Sequence, residues 1–279
     1  MNEISGLIQH SSQGNIFWTH NDSGDKARFY AIKSDGSLVA TYNLPPHIKA
    51  KDIEDIAWQE ENGRRYILLA DIGDNKRNRP YVQLYRVPEP RLPTSSDEKT
   101  LQLDEVEVMT LHYPDQPQDA EALVVMPRSG EILIFSKHLL QQPTTYKASE
   151  FAKDARLQVE TTLTFVDAKL PLQATTAADI SSDGHWLLMR TYLGVFGFRR
   201  KSNHLPFTNA GCPLQSQVEA QGEAIAFLNR PPIERAAESL QDNQPWRGGF
   251  LTISEGLTPV LNGRAFGENE GSVTNGVDN

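Results

Sequence analysis

Residues 52–57 read Asp-Ile-Glu-Asp-Ile-Ala, in which acidic residues lead into a short apolar strand. An acidic or polar pair followed by such a strand occurs again from Glu3, Asp119, Thr176 and Gln221, which makes five copies along the chain. Self-similarity at a fixed period is the sequence signature of a repeat architecture, and five copies in 279 residues give a period of about 56 residues. The motif also predicts that carboxylates from different repeats lie close together.

The residues that follow each motif predict further strands of the same repeat. In the first four repeats a tight turn that ends in glycine comes first, for example Glu61-Asn-Gly63, since Asn, Asp or Ser before Gly suits a hairpin; in the fifth repeat a longer connection precedes the second strand. Second strands are predicted at 16–20, 66–70, 131–136, 186–190 and 250–254. Third strands are predicted at 28–32, 82–87, 145–148 and 194–198, and fourth strands at 38–44, 106–111 and 159–165. One short helix is predicted at 232–240.

This pattern predicts an all-β protein, a β-propeller whose four-stranded blades bury faces that one sheet cannot bury alone. Five repeats are legible, and two alternatives stay open: a sixth, degenerate blade hidden within residues 203–217, or a β-sandwich with coincidental similarity. The propeller is expected to be a single domain over residues 1–266. Residues 267–279 are rich in Gly, Asn and Ser, so we expect a disordered tail there.

The composition excludes some classes of partner. The chain is 38% hydrophobic and 23% charged, which suits a folded protein with a substantial core. With a net charge of −9 we expect no nucleic-acid partner, because contact with phosphates needs a basic patch. No apolar run approaches the roughly 18 residues of a membrane span, so no membrane partner is expected. We expect a monomer that takes a small-molecule ligand or substrate, with a protein partner as the alternative.

The sequence leaves the cellular compartment open. Cys212 is the only cysteine, which excludes an intramolecular disulfide and a zinc cluster built on cysteines. The first residues show no basic segment followed by an apolar one, as a signal peptide would have. We therefore expect a cytoplasmic protein as the chain stands, or a secreted or periplasmic one if a signal segment precedes it.

Further motifs cover nearly the whole chain. They are Ile4-Ser-Gly-Leu7, Trp18-Thr-His-Asn-Asp-Ser-Gly-Asp25, Glu54-Asp-Ile-Ala57, Gly73-Asp-Asn75, Tyr85-Arg-Val-Pro-Glu-Pro90, Asp119-Ala-Glu-Ala-Leu123, Ala178-Asp-Ile-Ser-Ser-Asp-Gly184, Arg190-Thr-Tyr192 and Gly222-Glu-Ala-Ile-Ala226. Together they resemble a group of largely uncharacterised bacterial β-propeller proteins. That group is distantly similar to calcium-dependent six-bladed propellers of the gluconolactonase and paraoxonase type and to the esterase-like phytase domain. The resemblance implies the six-blade alternative and a bound calcium ion.

The predicted fold brings two groups of polar residues to one end of the propeller, here called the channel mouth. In a propeller, the first strand of each blade lines the channel, and the loops after the second strands lie where those first strands begin. The first group starts the channel strands and comprises Glu54, Asp55, Glu121, Asp179 and Glu223. The second group follows the second strands and comprises His20, Asn21, Asp22, Asp25, Asp71, Asp74, Asn75, Lys137, His138, Arg190, Thr191, Ser254 and Glu255.

The carboxylates of the channel mouth suit a calcium ion, which takes about six to eight oxygen ligands. The expected metal ligands are Glu54, Glu121, Glu223, Asp22 and Asp71, and the expected ligand-binding residues are Asp25, Asp74, Asn75 and Glu255. Two structural alternatives stay open: the aspartates make turns, or the glutamates accept hydrogen bonds from a neighbouring blade. In the first and fourth repeats, Ser5 and Ala178 stand at the glutamate position.

These residues support two classes of function. One is a Ca²⁺-supported hydrolase of an ester, lactone or phosphoester, with His20 or His138 as the base and Arg190 or Lys137 stabilising the developing negative charge. The other is a non-catalytic propeller that binds a ligand or protein at the same mouth. For each histidine a hydrogen-bonded structural role is the alternative. The fold does not decide between the two classes, because propellers carry many functions.

Overall fold

The computed structural model describes residues 3–22, 24–95, 99–139, 141–165, 174–192, 194–200, 206–208, 210–214, 222–228, 249–254 and 261–265. In these ranges the chain forms 22 β-strands and no helix, which confirms the all-β prediction. No helix in the described ranges is therefore long and apolar enough to cross a membrane. The helix predicted at 232–240, the tail predicted at 267–279 and Glu255 lie outside the described residues.

The described strands form five mainly antiparallel sheets, called blades one to five in chain order. Blade one contains β1 (Ile4–Gln9), β2 (Ile16–Asn21), β3 (Arg28–Lys33), β4 (Leu38–Asn43) and β8 (Thr100–Gln102). Blade two contains β5 (Ile53–Glu61), β6 (Arg64–Asp71), β7 (Val82–Pro88), β9 (Glu107–His112) and β13 (Asp154–Arg156). Blade three contains β10 (Ala120–Val125), β11 (Ile132–Ser136), β12 (Thr144–Ala148) and β14 (Gln158–Thr162).

The remaining two blades follow the same strand order. Blade four contains β16 (Thr175–Ile180), β17 (Trp186–Thr191), β18 (Gly194–Arg199), β19 (Ala210–Leu214) and β15 (Thr164–Phe165). Blade five contains β20 (Gly222–Phe227), β21 (Gly249–Ser254) and β22 (Leu261–Ala265). Strand β19 lies within residues 203–217, where a sixth blade was the alternative. The described part of that segment instead supplies the fourth strand of blade four.

The first strands of the blades close into a ring. Strand β1 packs against β5, β5 against β10, β10 against β16, β16 against β20, and β20 against β1 again. A separate apolar cluster fills each of the five junctions between neighbouring blades in the described chain. The prediction of a β-propeller is thus confirmed, and both faces of each blade are covered, which is why the residues of the inner strands are almost all buried.

Short extra strands protect the outer edges of three blades. Strand β8, which lies between β7 and β9 along the chain, pairs in parallel with β4 of blade one. Strand β13, which lies between β12 and β14 along the chain, pairs in the same way with β9 of blade two. Strand β15 pairs in parallel with β19, so the single strand predicted at 159–165 is split between blades three and four. An uncovered edge strand invites pairing with other chains, and these additions satisfy its backbone groups.

Candidate functional site

Each first strand contains a β-bulge close to its start. The bulged residues are Gly6, Glu54, Glu121, Thr176 and Glu223, since the strand register shifts across each of them. A bulge redirects the side chain of the extra residue. The shared position of the three glutamates therefore agrees with the sequence pattern. In blades one and four the equivalent residues are Gly6 and Thr176 and not, as predicted, Ser5 and Ala178, because these two bulges are offset from the sequence motif.

Three carboxylates from blades one and two meet at the channel mouth. Asp22 follows β2, Asp52 precedes β5 and Glu54 is the bulged residue of β5; one oxygen from each lies within 4.8 Å of the other two. We call these residues the acidic triad. Glu54 is only 3% exposed, and the other two are partly buried. Asp22 and Glu54 were predicted metal ligands, whereas Asp52 was not predicted.

Two members of the acidic triad lack hydrogen bonds to their carboxylates. The buried Oδ1 of Asp52 has no hydrogen-bond partner among the described residues. The Glu54 carboxylate likewise accepts no hydrogen bond from any residue in the described ranges, although its backbone oxygen accepts one from Ser5 Oγ. The backbone of Gly73 packs directly against both carboxylates, so a Cβ atom at residue 73 would overlap them. Buried acceptors are normally satisfied, and unsatisfied ones need an explanation.

The acidic triad holds more negative charge than its surroundings favour. Burial raises the pKa of Glu54 well above its usual value, and Glu121, Asp22 and Asp52 raise it further. Burial also raises the pKa of Asp52 to about 6, together with the charges of Asp22 and Asp71. Like charges in a poorly solvated site disfavour ionisation until a proton or a cation compensates them. The triad is therefore arranged to take up positive charge.

A second set of polar residues continues the channel mouth from blade three to blade five. The Lys137 ammonium group forms an ion pair with Glu121 and lies 5.5 Å from the centre of the Tyr192 ring. Burial raises the pKa of Glu121 to about 7, while Lys137 opposes that rise. The pKa of Tyr192 is raised by burial and then by the negative charge of Glu223. Tyr192 and its contact with Lys137 were not predicted.

The Asp71 carboxylate is held by an ion pair and hydrogen bonds within blade two. It accepts bonds from Arg79 Nη1 at 2.8 Å, from Tyr85 Oη at 2.8 Å and from the backbone N of Asp52 at 3.0 Å. Asp74 accepts a bond from the backbone N of Arg79 at 2.7 Å, and Arg79 Nη1 also donates to the Gly73 oxygen. These donors already occupy the two aspartates that sequence analysis assigned to a metal and to a ligand.

Asp25 is engaged in a similar way in blade one. Its carboxylate accepts bonds from Tyr30 Oη at 2.6 Å, Arg28 Nη2 at 2.6 Å and Asn21 Nδ2 at 2.9 Å. Although burial opposes ionisation, the bonds from Arg28 and Tyr30 lower the pKa of Asp25. The two similar loops at residues 22–25 and 71–74 therefore differ, because only the first contributes an aspartate, Asp22, to the acidic triad. Asn75 in the second loop is exposed.

Bonds between blades come from aspartates rather than from the channel glutamates. Asp55 is 1% exposed, and its Oδ2 accepts a bond from the Leu123 backbone N of blade three at 2.7 Å. Asp179 does the same toward blade five, where the Phe227 backbone N donates to its Oδ2 at 2.8 Å. The structural role that sequence analysis considered for the glutamates is thus filled by these two residues.

The predicted catalytic residues lie in three different settings. His20 is completely buried; its Nδ1 contacts the Asn21 oxygen at 3.0 Å, and its Nε2 has no hydrogen-bond partner among the described residues. Burial lowers its pKa to about 4, so it is neutral at physiological pH. Arg190 is also fully buried and packs on the backbone of Gly222. His138 lies at the rim, 2.9 Å from Arg77 Nη2.

Two residues of the site could have been found from the repeat itself. Asp52 and Asp119 are the first letters of their motifs, and both are used at the mouth. Asp119 Oδ1 accepts a bond from the Asp74 backbone N at 2.9 Å, whereas Asp52 joins the acidic triad. Arg79 carried no such signal, because it lies in a loop outside the repeated pattern.

Comparison with known proteins supports the fold but assigns the chain to no family. No family model matches the chain, and no curated protein matches its sequence. Among solved structures, an auxiliary nutrient binding protein from Bacteroides ovatus matches 94% of the chain with a TM-score of 0.50 and 10% identity. The chain spans 57% of the length of that structure. The match agrees with the propeller fold, and the resemblance to calcium-dependent propellers stays a prediction.

Proposed function

We propose that this protein is a ligand-binding β-propeller that holds a small molecule at its acidic channel mouth, with a divalent cation seated in the acidic triad. The observation that carries the proposal is the pair of carboxylates of Asp52 and Glu54, which accept no hydrogen bond from the described residues and lie against Asp22. A buried group of like charges is costly unless a cation neutralises it. Carboxylate oxygens are the ligands that Ca²⁺ prefers, so Ca²⁺ is the first ion to test.

The rest of the mouth favours a neutral or cationic ligand. Glu121 and Glu223 extend the acidic residues around the channel, and among the described lysines Lys137 forms an ion pair with Glu121. Tyr192 offers a partly buried ring beside these charges. The similar solved structure from Bacteroides ovatus is described as an auxiliary nutrient binding protein, which supports a binding function. Small polyhydroxylated compounds and amines are the ligand classes that this lining suits.

Hydrolysis of an ester, lactone or phosphoester has less support from the geometry. A general base must reach the proton that it removes. His20 is fully buried against Gly6, and its Nδ1 is occupied by the Asn21 oxygen. His138 contacts Arg77, and the pKa of His138 is lowered by burial and then by the charge of Arg77. These contacts favour binding over turnover.

The test begins with the cation. Melting temperatures of the wild type and of Glu54→Gln are measured in excess CaCl₂ and in EDTA. At about 100-fold excess over the dissociation constant, a bound ion stabilises the folded state by about 2.7 kcal/mol. For a chain of this size that corresponds to a rise of about 5–10 °C. We expect this rise in the wild type and its loss in Glu54→Gln, because the variant removes the central anionic ligand.

A panel of sugars, amino acids and amines is then added in the presence of CaCl₂. A further rise for one class in the wild type, absent from Glu54→Gln, supports the proposed function. The matched control is Glu150→Gln, at an exposed loop position in blade three, which should respond as the wild type does. The proposal would be overturned if neither Ca²⁺ nor any compound of the panel raised the melting temperature. Turnover of aryl esters or lactones would show that the protein is a hydrolase and not only a binding protein.

A further inference from the structure

A cavity of about 830 Å³ lies between blades three and four. It follows one face of blade three from the buried Thr145, near the start of β12, to the exposed Ser149 just after the end of that strand. These two residues are roughly 13 Å apart, since a strand rises about 3.3 Å per residue. Ligand pockets in proteins usually measure about 300–1,000 Å³, so this cavity is large enough for a small organic molecule. None of its lining residues belongs to the acidic triad.

The floor of the cavity is apolar. Met126, Leu133 and Phe135 of blade three line it, together with Leu163, and all four are buried side chains of the cluster between blades three and four. Phe207 also lines the cavity and packs against the same cluster. Surface of this kind suits a hydrocarbon or aromatic group, because the transfer of such a group from water is favourable.

The charged side chains that blade three contributes to the lining are engaged with one another or with water. Lys147 Nζ lies 2.7 Å from a Glu160 oxygen and 3.7 Å from a Glu131 oxygen. The Ser129 hydroxyl also donates to the Glu131 carboxylate, at 3.0 Å. Arg128 is exposed, so water solvates its guanidinium. A charged ligand would have to displace one of these partners.

Arg200, the charged lining residue that follows β18 of blade four, is engaged as well. Its Nε donates to the Gly184 oxygen, and its guanidinium lies 5.2 Å from the centre of the Phe207 ring. Burial lowers the pKa of Arg200, and the negative charges of Glu131 and Asp183 oppose that fall. The lining therefore favours a neutral occupant, because an added charge would be buried without a counter-ion.

One polar group at the buried end of the cavity is not satisfied. Thr145 is 2% exposed, and its hydroxyl oxygen has no hydrogen-bond partner among the described residues. Buried polar groups normally have a partner, so an unsatisfied one needs an explanation. A threonine hydroxyl can both donate and accept a hydrogen bond, and the hydroxyl group of a ligand can do the same. A neutral ligand with one hydroxyl group would supply the missing partner.

We propose that this cavity is a second binding site, for a small neutral alcohol whose apolar body packs on Phe135 and Leu163 and whose hydroxyl group bonds to Thr145. The apolar floor stabilises the body of the ligand, and the Thr145 hydroxyl fixes its direction in the cavity. The site is independent of the channel mouth, because it uses none of the acidic triad and needs no cation.

The experiment uses three probes with the same chain length: 1-octanol, octanoate and octylammonium. Binding to the full-length protein is measured by titration calorimetry, with EDTA present so that the acidic triad holds no cation. We expect 1-octanol to bind, and octanoate and octylammonium each to bind at least about tenfold more weakly, since either charge would be buried beside Thr145 without a counter-ion.

Thr145→Val tests the hydrogen bond, because valine keeps the shape of threonine without the hydroxyl group. Its affinity for 1-octanol should fall about 3–10-fold, the loss expected for one neutral hydrogen bond. The matched control is Thr110→Val, at a partly buried threonine of β9 in blade two that does not line the cavity. This control should bind 1-octanol as the wild type does.

A second variant keeps the test decisive if Thr145→Val fails to fold. Ser149 is an exposed residue of the lining, so Ser149→Trp places an indole over the entrance without changing the core. We expect this variant to melt as the wild type does and to lose 1-octanol binding. Glu150→Trp, at the exposed neighbouring residue outside the lining, should keep it.

Three results would each overturn the proposal. The first is the absence of 1-octanol binding to the wild type. The second is binding of octanoate or octylammonium as tightly as 1-octanol. The third is unchanged 1-octanol affinity in Ser149→Trp, or in a folded Thr145→Val.

Discussion

Replacing Asp52 by asparagine should stabilise the cation-free protein. The pKa of Asp52 rises from 3.8 to about 6, through burial first and then through Asp22 and Asp71. At about 1.4 kcal/mol per pKa unit, a shift of about two units corresponds to about 3 kcal/mol of lost stability above pH 6. Because Asp52 is only partly buried, solvent screening reduces this to about 1–2 kcal/mol. In EDTA at pH 8, Asp52→Asn should therefore melt about 2–8 °C above the wild type.

The pH dependence follows from the direction of the pKa shift. The folded state binds the Asp52 proton more tightly than the unfolded state. Ionisation of Asp52 therefore destabilises the folded wild type fully above the folded-state pKa near 6, and not at all below the unfolded-state pKa near 3.8. The advantage of Asp52→Asn should consequently shrink as the pH falls from 8 to 4. Excess CaCl₂ should reverse the order at pH 8, because only the wild type retains the full set of anionic ligands.

The assay is a series of thermal melts between pH 4 and pH 8, in EDTA and in CaCl₂. Asp104→Asn, at an exposed position in blade two, is the matched control and should follow the wild type at every pH. The reasoning is refuted if Asp52→Asn is less stable than the wild type in EDTA at pH 8. It is also refuted if the difference between the two proteins does not change with pH.

Two further substitutions test the packing around the mouth. Gly73→Ala should abolish the Ca²⁺-dependent rise in melting temperature, because the added Cβ would overlap the carboxylates of Glu54 and Asp52. Gly63→Ala, in an outer turn, is the control for the loss of a glycine. An unchanged Ca²⁺ response in Gly73→Ala would contradict the geometry. Asp55→Asn should cost about 2–4 kcal/mol and lower the melting temperature by about 5–15 °C, since an amide cannot accept both of the backbone bonds that the Asp55 carboxylate receives from Ile56 and from Leu123 of blade three. A melting temperature equal to that of the wild type would show that these bonds contribute little.

The repeat explains why so much of the fold could be predicted. Each blade reuses the same local signals: an apolar inner strand, a turn and alternating outer strands. The prediction of strands at 28–32, 82–87 and 194–198 agrees with β3, β7 and β18. Strand β19 was missed because it contains Gly211 and Pro213, which strand patterns seldom include, and it is stabilised by pairing with β18 and β15 rather than by its own pattern.

The site was less predictable than the fold, because it depends on which partner reaches each carboxylate. Asp22 and Asp71 stand in similar loop sequences, yet only Asp71 is met by Arg79. A side chain from outside the repeated pattern therefore separates a structural aspartate from a member of the acidic triad. Gly6, where blade one has no bulged glutamate, is covered by His20, a packing that no local pattern indicates.

The sequence by itself determined the all-β class, the repetition, and the gathering of acidic residues at one end of the channel. These follow from patterns within each repeat, which local chemistry and strand alternation control. The tertiary structure alone decided that Asp22, Asp52 and Glu54 share one point, that Asp55 and Asp179 join blades, and that a cavity opens between blades three and four. Such facts depend on bulges, on contacts between distant residues and on how two blades diverge, none of which a single repeat encodes.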